Sequence, residues 1–210
     1  MAIQYIKYHV KVKFKYPVLG AQSSRDVTQE FVAARAGVEL PHDEEPLLET
    51  ELDKVTTVFH HDASGNPILL NYQVKGFFKN AAHVLNGKAG KGDESDGVKN
   101  LRSKVVNNLF VSPRIIPLSF NGKTSFLSRP LMAKTMQGER VALTRSEQVE
   151  NGSIEFDVEI VEGSDLNETV LRDLLDYGER VGIGRWRTAD YGSFTYELKC
   201  VEKPARRKKS

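Results

Sequence analysis

Apolar and polar residues alternate with period two from position 6 to position 15. Ile6, Tyr8, Val10, Val12 and Phe14 fall on one phase, and Lys7, His9, Lys11, Lys13 and Lys15 on the other. In an extended chain this sorts five apolar side chains to one face and five basic or imidazole side chains to the opposite face. Pro17 and Gly20 end the run. A second alternation sets Ile154, Phe156, Val158 and Ile160 against Glu155, Asp157 and Glu159. A third, at the end of the chain, carries Phe194, Tyr196, Leu198 and Cys200 on one phase and predicts Cys200 in the core.

Helical spacing appears in three places. Leu70, Val74, Phe77, Phe78, Ala81 and Val84 predict a helix over 69–84, with Gly76 inside it. A mid-helix glycine costs about 1 kcal/mol against alanine and often marks close backbone packing. A second, basic helix is predicted over 98–109, and a third from Val170, Leu171, Leu174, Leu175 and Val181, opened by a capping box at Asp165 and Glu168. A shorter helix is expected over 24–36 and another over 46–55. Short strands are predicted at 56–59, 110–111 and 115–120, with one or two more around Gly138. Asn121-Gly122 and Asn151-Gly152 are hairpin signals. The segment 86–97, with four glycines and mixed charge, reads as a flexible loop.

The order strand, helices, hairpins, helix, strand predicts an α+β fold, an antiparallel sheet with helices on one face and hairpin insertions. A βαββαβ, ferredoxin-like core is its simplest form. The expected organisation is a single domain over 1–202, with an acidic insertion at 37–55, followed by a basic disordered tail at 203–210.

The chain has 210 residues, with 30 Lys and Arg against 28 Asp and Glu, so net charge names no partner. Distribution is more informative. Residues 1–25 hold five cations and no acid, 26–62 are strongly acidic, and the end is Arg206-Arg207-Lys208-Lys209. Segregation of this kind favours an anionic partner at one face. No apolar run approaches the roughly 20 residues of a membrane span, and the N-terminus lacks the layout of a secretory signal. A cytoplasmic protein with no membrane role is expected. One cysteine excludes an internal disulfide and a cysteine-rich zinc site.

The segment Gly182-Ile183-Gly184-Arg185-Trp186-Arg187 follows a helix and precedes a strand. Dinucleotide and P-loop sites need the reverse order, because the helix N-terminus holds the phosphate. Gly87 to Gly92 approaches a P-loop, but Asp93 stands where its lysine belongs. Glycines let a backbone approach a sugar-phosphate chain, arginine pairs with phosphate, and tryptophan stacks on bases. The ordinary structural alternative is a helix cap, a buried tryptophan and two surface arginines. The face of Lys7, Lys11, Lys13 and Lys15 likewise suits either backbone tracking or protection of an edge strand. No catalytic set is assigned, and His9, His60 and His61 are the catalytic candidates. His60 and His61 are adjacent on a strand and point to opposite faces, so they do not share a metal. No metal site and no cofactor are expected.

The run from the helix through Gly182, Gly184, Arg185, Arg187 and Gly192 to the last strand resembles the C-terminal glycine-rich motif of the RAMP superfamily of CRISPR proteins. The segment Gln73-Val74-Lys75-Gly76-Phe77-Phe78 looks like the helix that follows the first strand in that superfamily. The resemblance implies an RRM-like fold and RNA binding of the kind found in CRISPR effector backbone subunits. Residues 72–79, Arg129-Pro130-Leu131, residues 137–143 and Leu175-Asp176-Tyr177-Gly178 also look like a family of phage and prophage proteins with no assigned chemistry. Three functions follow as expectations. The first is a non-catalytic module for single-stranded RNA, working with further copies of itself or other ribonucleoprotein subunits. The second is an assembly or anti-defence protein without nucleic acid. The third is a metal-independent RNA endonuclease. Lys7, Lys11, Lys13, Lys15, Gly182, Gly184, Arg185, Trp186 and Arg187 are the expected nucleic-acid contacts.

Overall fold

The first alternating run forms β1 (Tyr5–Phe14), with Tyr8, Val10, Val12 and Phe14 buried. It lies between the other two alternating runs, β11 (Ser153–Val161) and β12 (Phe194–Glu202), antiparallel to both. The fourth strand, β7 (Leu109–Ser112), pairs antiparallel with β11. The sheet order is therefore β12-β1-β11-β7. The computed structural model describes residues 3–23, 56–91, 96–135 and 138–202, with the side chains of 131–143 outside that description. The helices expected over 24–36 and 46–55, the acidic insertion and the basic tail lie outside the described residues.

Helix α1 (Asn71–Val84) and helix α3 (Glu168–Val181) cover the apolar face of this sheet. The short helix α2 (Leu101–Asn108) packs beside α1 and buries Leu101 and Val105. Phe77 meets Phe194 of β12 edge-on, with ring centroids 5.9 Å apart, and Phe78 meets Phe156 of β11 at 6.4 Å. Burying such rings dominates the energetics of a small core. The architecture is α+β.

Two further sheets flank this layer. In the larger, β10 (Gly138–Val149) pairs along its length with β9 (Ser125–Thr135). Its other edge takes β4 (Thr56–Val58) in parallel and β2 (Val18–Leu19) antiparallel, while β3 (Gln22–Ser23) pairs with β4. In the smaller, β6 (Pro67–Leu70) lies between β5 (His60–His61) and β8 (Ile115–Pro117).

Several sequence expectations need correction. Leu69 and Leu70, expected to open α1, belong instead to the strand Pro67–Leu70, which the third sheet takes in, and α1 begins at Asn71. Neither Asn-Gly pair joins a hairpin. β8 pairs with β6 and β9 with β10, while β10 and β11 belong to different sheets. Asn151 and Gly122 do adopt positive φ, of 51° and 107°. The dipeptide reports a left-handed turn and leaves the strands' partners to their buried faces. Helix α3 is capped by Asn167, whose Oδ1 accepts from the Val170 N–H at 3.0 Å, and not by Asp165. Gly76 is exposed with nothing near its missing Cβ; the close approach is at Gly178, where a Cβ would run into the Phe77 and Phe194 rings. Cys200 is exposed, because burial along β12 fades after Phe194 as the strand runs away from the core. The segment expected as a flexible loop is described at 86–91 and 96–97. Ala89 is buried, Gly87 N–H bonds the Val98 carbonyl at 2.9 Å, and Gly90 N–H bonds Asp173 at 2.6 Å.

Candidate nucleic-acid interface

The glycine-rich loop leaves α3 at Gly182, whose φ of 78° is open to glycine and strained for other residues. Its neck is closed by the Ile183 N–H bonded to the Gly192 carbonyl at 2.9 Å. The approach is so close that a Cβ at Gly192 would overlap the Ile183 carbonyl. Two more backbone bonds fasten the neck to the end of β1: Gly192 N–H to the Pro17 carbonyl at 2.9 Å and Lys15 N–H to the Ser193 carbonyl at 2.8 Å. Ile183 is buried. Residues 184–191 project from this anchored base.

Within the projecting part Trp186 has φ 57° and ψ 37°, followed by a single 3-10 turn over Arg187–Ala189. A left-handed conformation at a non-glycine residue costs about 1–3 kcal/mol and persists only where its surroundings enforce it. Here Arg129 of β9 places its guanidinium over the indole, and Tyr191 meets the indole edge with ring centroids 6.1 Å apart. Trp186 is thus half-buried and already partnered on one face.

Arg185, Trp186, Arg187, Thr188 and Gly184 form one wall of an open groove of about 590 Å3, with Tyr177 and Val181 of α3 and Asn80 of α1 forming the other. Among the described residues, neither Arg185 nor Arg187 has an ion pair or side-chain hydrogen bond. Both are half-buried. Two guanidinium groups, adjacent glycines and an aromatic wall suit an anionic, ring-bearing ligand.

The strand lysines present a different picture. Lys7 pairs with Asp157 at 2.9 Å and Lys11 with Glu155 at 2.8 Å. Lys15 reaches the Glu179 carbonyl at 3.3 Å and its carboxylate at 3.7 Å. Lys13, opposite Ser153 and Thr195, has no carboxylate partner among the described residues. His9 bridges Asp157 at 2.8 Å and Glu155 at 3.7 Å. Side-chain bonds to these carboxylates raise the ammonium pKa of Lys7 and Lys11, and Lys11 in turn holds Glu155 below the usual carboxylate range. Burial works to raise Asp157, but the bonds from His9 and Lys7 prevail and its pKa is lowered. The sheet face away from the helices is therefore a ladder of alternating charge, not the open basic surface that β1 read alone predicts. The signal was present in Glu155, Asp157 and Glu159; what the sequence lacked was the register that sets them beside β1.

The other two candidate histidines, His60 and His61, diverge, as adjacent strand residues do. His60 meets the Tyr72 hydroxyl at 3.2 Å, and burial, then repulsion from His61, lowers its pKa. His61 meets the buried carboxylate of Glu147 at 3.2 Å, which also accepts the Phe59 N–H at 2.9 Å. His9 lies on another sheet. Among the described residues no group of three or more His, Cys, Asp or Glu is placed to hold a metal. No helix among them is long and apolar enough to cross a membrane. Asn80 and Thr188 carried no distinguishing sequence signal, Arg129 carried none that points to this loop, and all three enter the site only through the fold.

No family model matches the chain, and no curated protein matches it. Among solved structures it is similar to a chain of the "Cryo-EM structure of the Type III-B Cmr-beta bound to cognate target RNA", at 12% identity and a TM-score of 0.48, over 94% of this chain. The match spans 61% of that chain's length.

Proposed function

We propose that this chain is a non-catalytic module that binds single-stranded RNA, built on the ferredoxin-like, RRM-like scaffold of the RAMP superfamily. Three features support the scaffold. The four strands of the main sheet lie in the order last, first, third, second, all antiparallel. Helices intervene between the first and second and between the third and last. The glycine loop occupies the position between the last helix and the last strand, where the superfamily motif stands.

The observation that carries the binding reading is the contrast between the cations. Lys7, Lys11 and Lys15 are committed within the protein, whereas Arg185 and Arg187 line an open groove with no partner among the described residues. A phosphate chain supplies the missing charge, and the tryptophan and tyrosine beside them supply stacking surface. Lys13, on the opposite face of the main sheet at the end where the loop is anchored, gives a strand leaving the groove a further contact. The resemblance to phage and prophage proteins supports a host cytoplasm as the setting, alongside further copies or other ribonucleoprotein subunits.

The test is the nucleic acid that accompanies the protein from its producing cells at moderate salt. The expected outcome is an absorbance at 260 nm that RNase removes and DNase does not. Protein that is free of nucleic acid and also ignores added single strands overturns the reading in favour of a protein-interaction role.

A further inference from the structure

We propose that the groove between the glycine loop and the two helices is a pocket for one unpaired base of the bound strand, favouring adenine. This rests on the RNA-binding reading and adds a sequence preference to it. The cleft, at about 590 Å3, falls in the range of about 300–1,000 Å3 that small-ligand sites occupy. Its two walls differ in chemistry. Arg185 and Arg187 lie on the loop side, while the helix side offers Asn80, Tyr177 and Val181.

The helix side is unsuited to phosphate. Tyr177 and Val181 belong to the last turns of α3, which ends at Val181, where the carbonyl end of the helix dipole repels an anion. Phosphates therefore belong with the arginines and the neutral base with the helices. An electronegative wall favours an edge that donates. Adenine and cytosine bring an amino group to the position where uracil and guanine bring a carbonyl oxygen. The Asn80 carboxamide, without a hydrogen-bond partner among the described residues, matches the amino group and adjacent ring nitrogen of either base, and the larger stacking surface of the purine sets adenine above cytosine. Tyr177 provides the stacking face. Trp186, which Arg129 already covers on one side, supports the wall more than it competes for the base.

The experiment compares short labelled homopolymers of riboadenylate, ribocytidylate and ribouridylate by fluorescence anisotropy, with the wild-type chain and with Asn80→Ala and Arg185→Ala. The wild type is expected to bind the adenylate strand about tenfold more tightly than the uridylate strand, with cytidylate between. Asn80→Ala is expected to bring adenylate down close to the uridylate level, with a smaller loss for uridylate. Arg185→Ala is expected to weaken all three strands by a similar factor. Equal binding of the three strands by the wild type overturns the base pocket while leaving the RNA-binding reading intact. So does an adenylate preference that survives Asn80→Ala. Failure to bind any strand overturns both.

Discussion

The guanidinium of Arg129, on β9, lies over the indole of Trp186, on the glycine loop. This stacking joins the second sheet to the candidate interface and helps to hold Trp186 in its left-handed conformation. Trp186 is the chain's sole tryptophan, so intrinsic tryptophan fluorescence reports on this loop alone. Arg129→Ala is expected to shift the emission to longer wavelength as the uncovered ring meets water, and RNA is expected to change the emission of the wild type. Emission indifferent to both the substitution and saturating RNA would place Trp186 outside the interface.

Two glycines are expected to respond to alanine with opposite signs. At Gly192 the positive φ and the overlap with the Ile183 carbonyl make Gly192→Ala destabilising by more than about 1 kcal/mol. At Gly76, in the exposed interior of α1 with nothing near a new Cβ, Gly76→Ala is expected to stabilise by roughly 0.5–1 kcal/mol. Urea unfolding measures both. Equal effects would mean that the loop neck is not anchored as described.

The ladder through Lys7, Asp157, His9, Glu155 and Lys11 predicts an acid limb of stability. Asp157 and Glu155 have lowered folded-state pKa values, so the unfolded chain binds protons first as the pH falls below about 4. Their contribution is present above that range and is lost as the pH drops through the folded values. Asp157→Asn is expected to lower the melting temperature modestly at neutral pH, since exposed pairs contribute little, and to flatten the decline below pH about 4, so that variant and wild type converge in acid. An unchanged acid limb would show that the ladder does not form.

Lys75 of α1 predicts a change at the alkaline end. Its ammonium bonds the Val105 carbonyl at 2.8 Å, the Val106 carbonyl at 3.2 Å and the Leu109 carbonyl, so it closes the C-terminal end of α2. Burial, then repulsion from Lys79, lowers its pKa to about 8. Between about 8 and the ordinary value of 10.5 the unfolded lysine keeps a proton that the folded one has released. Stability is therefore expected to rise with pH across that window relative to Lys75→Met. NMR titration of the lysine side chains checks this directly, and a Lys75 midpoint above pH 10 would contradict it.

Much of the main sheet was legible because each strand buries a single face. Val10, Phe156 and Phe194 announce their strands by alternation, and Leu171, Leu174 and Leu175 announce α3 by helical spacing. The pairing was less accessible. Nothing local to Lys11 says that Glu155 will lie beside it, and nothing local to Trp186 says that Arg129 will cover it. The Asn-Gly pairs misled because a turn's φ values are local whereas a strand's partner is chosen by its buried face. Arg185 and Arg187 could be picked out from the sequence by their glycines. Their separation from the paired lysines, and the presence of Asn80 across the groove, required the fold.

The most direct test of the account is the salt dependence of single-stranded RNA binding in two double variants. Removing one cation that neutralises a phosphate of a single strand lowers the slope of log affinity against log salt by about 0.7. Arg185→Ala with Arg187→Ala is predicted to weaken binding and to reduce the slope by about 1.4. Lys7→Ala with Lys11→Ala is predicted to leave the slope unchanged, because those lysines are held by Asp157 and Glu155. The opposite result, a slope that falls with the lysines and not with the arginines, would contradict the loop as the binding surface.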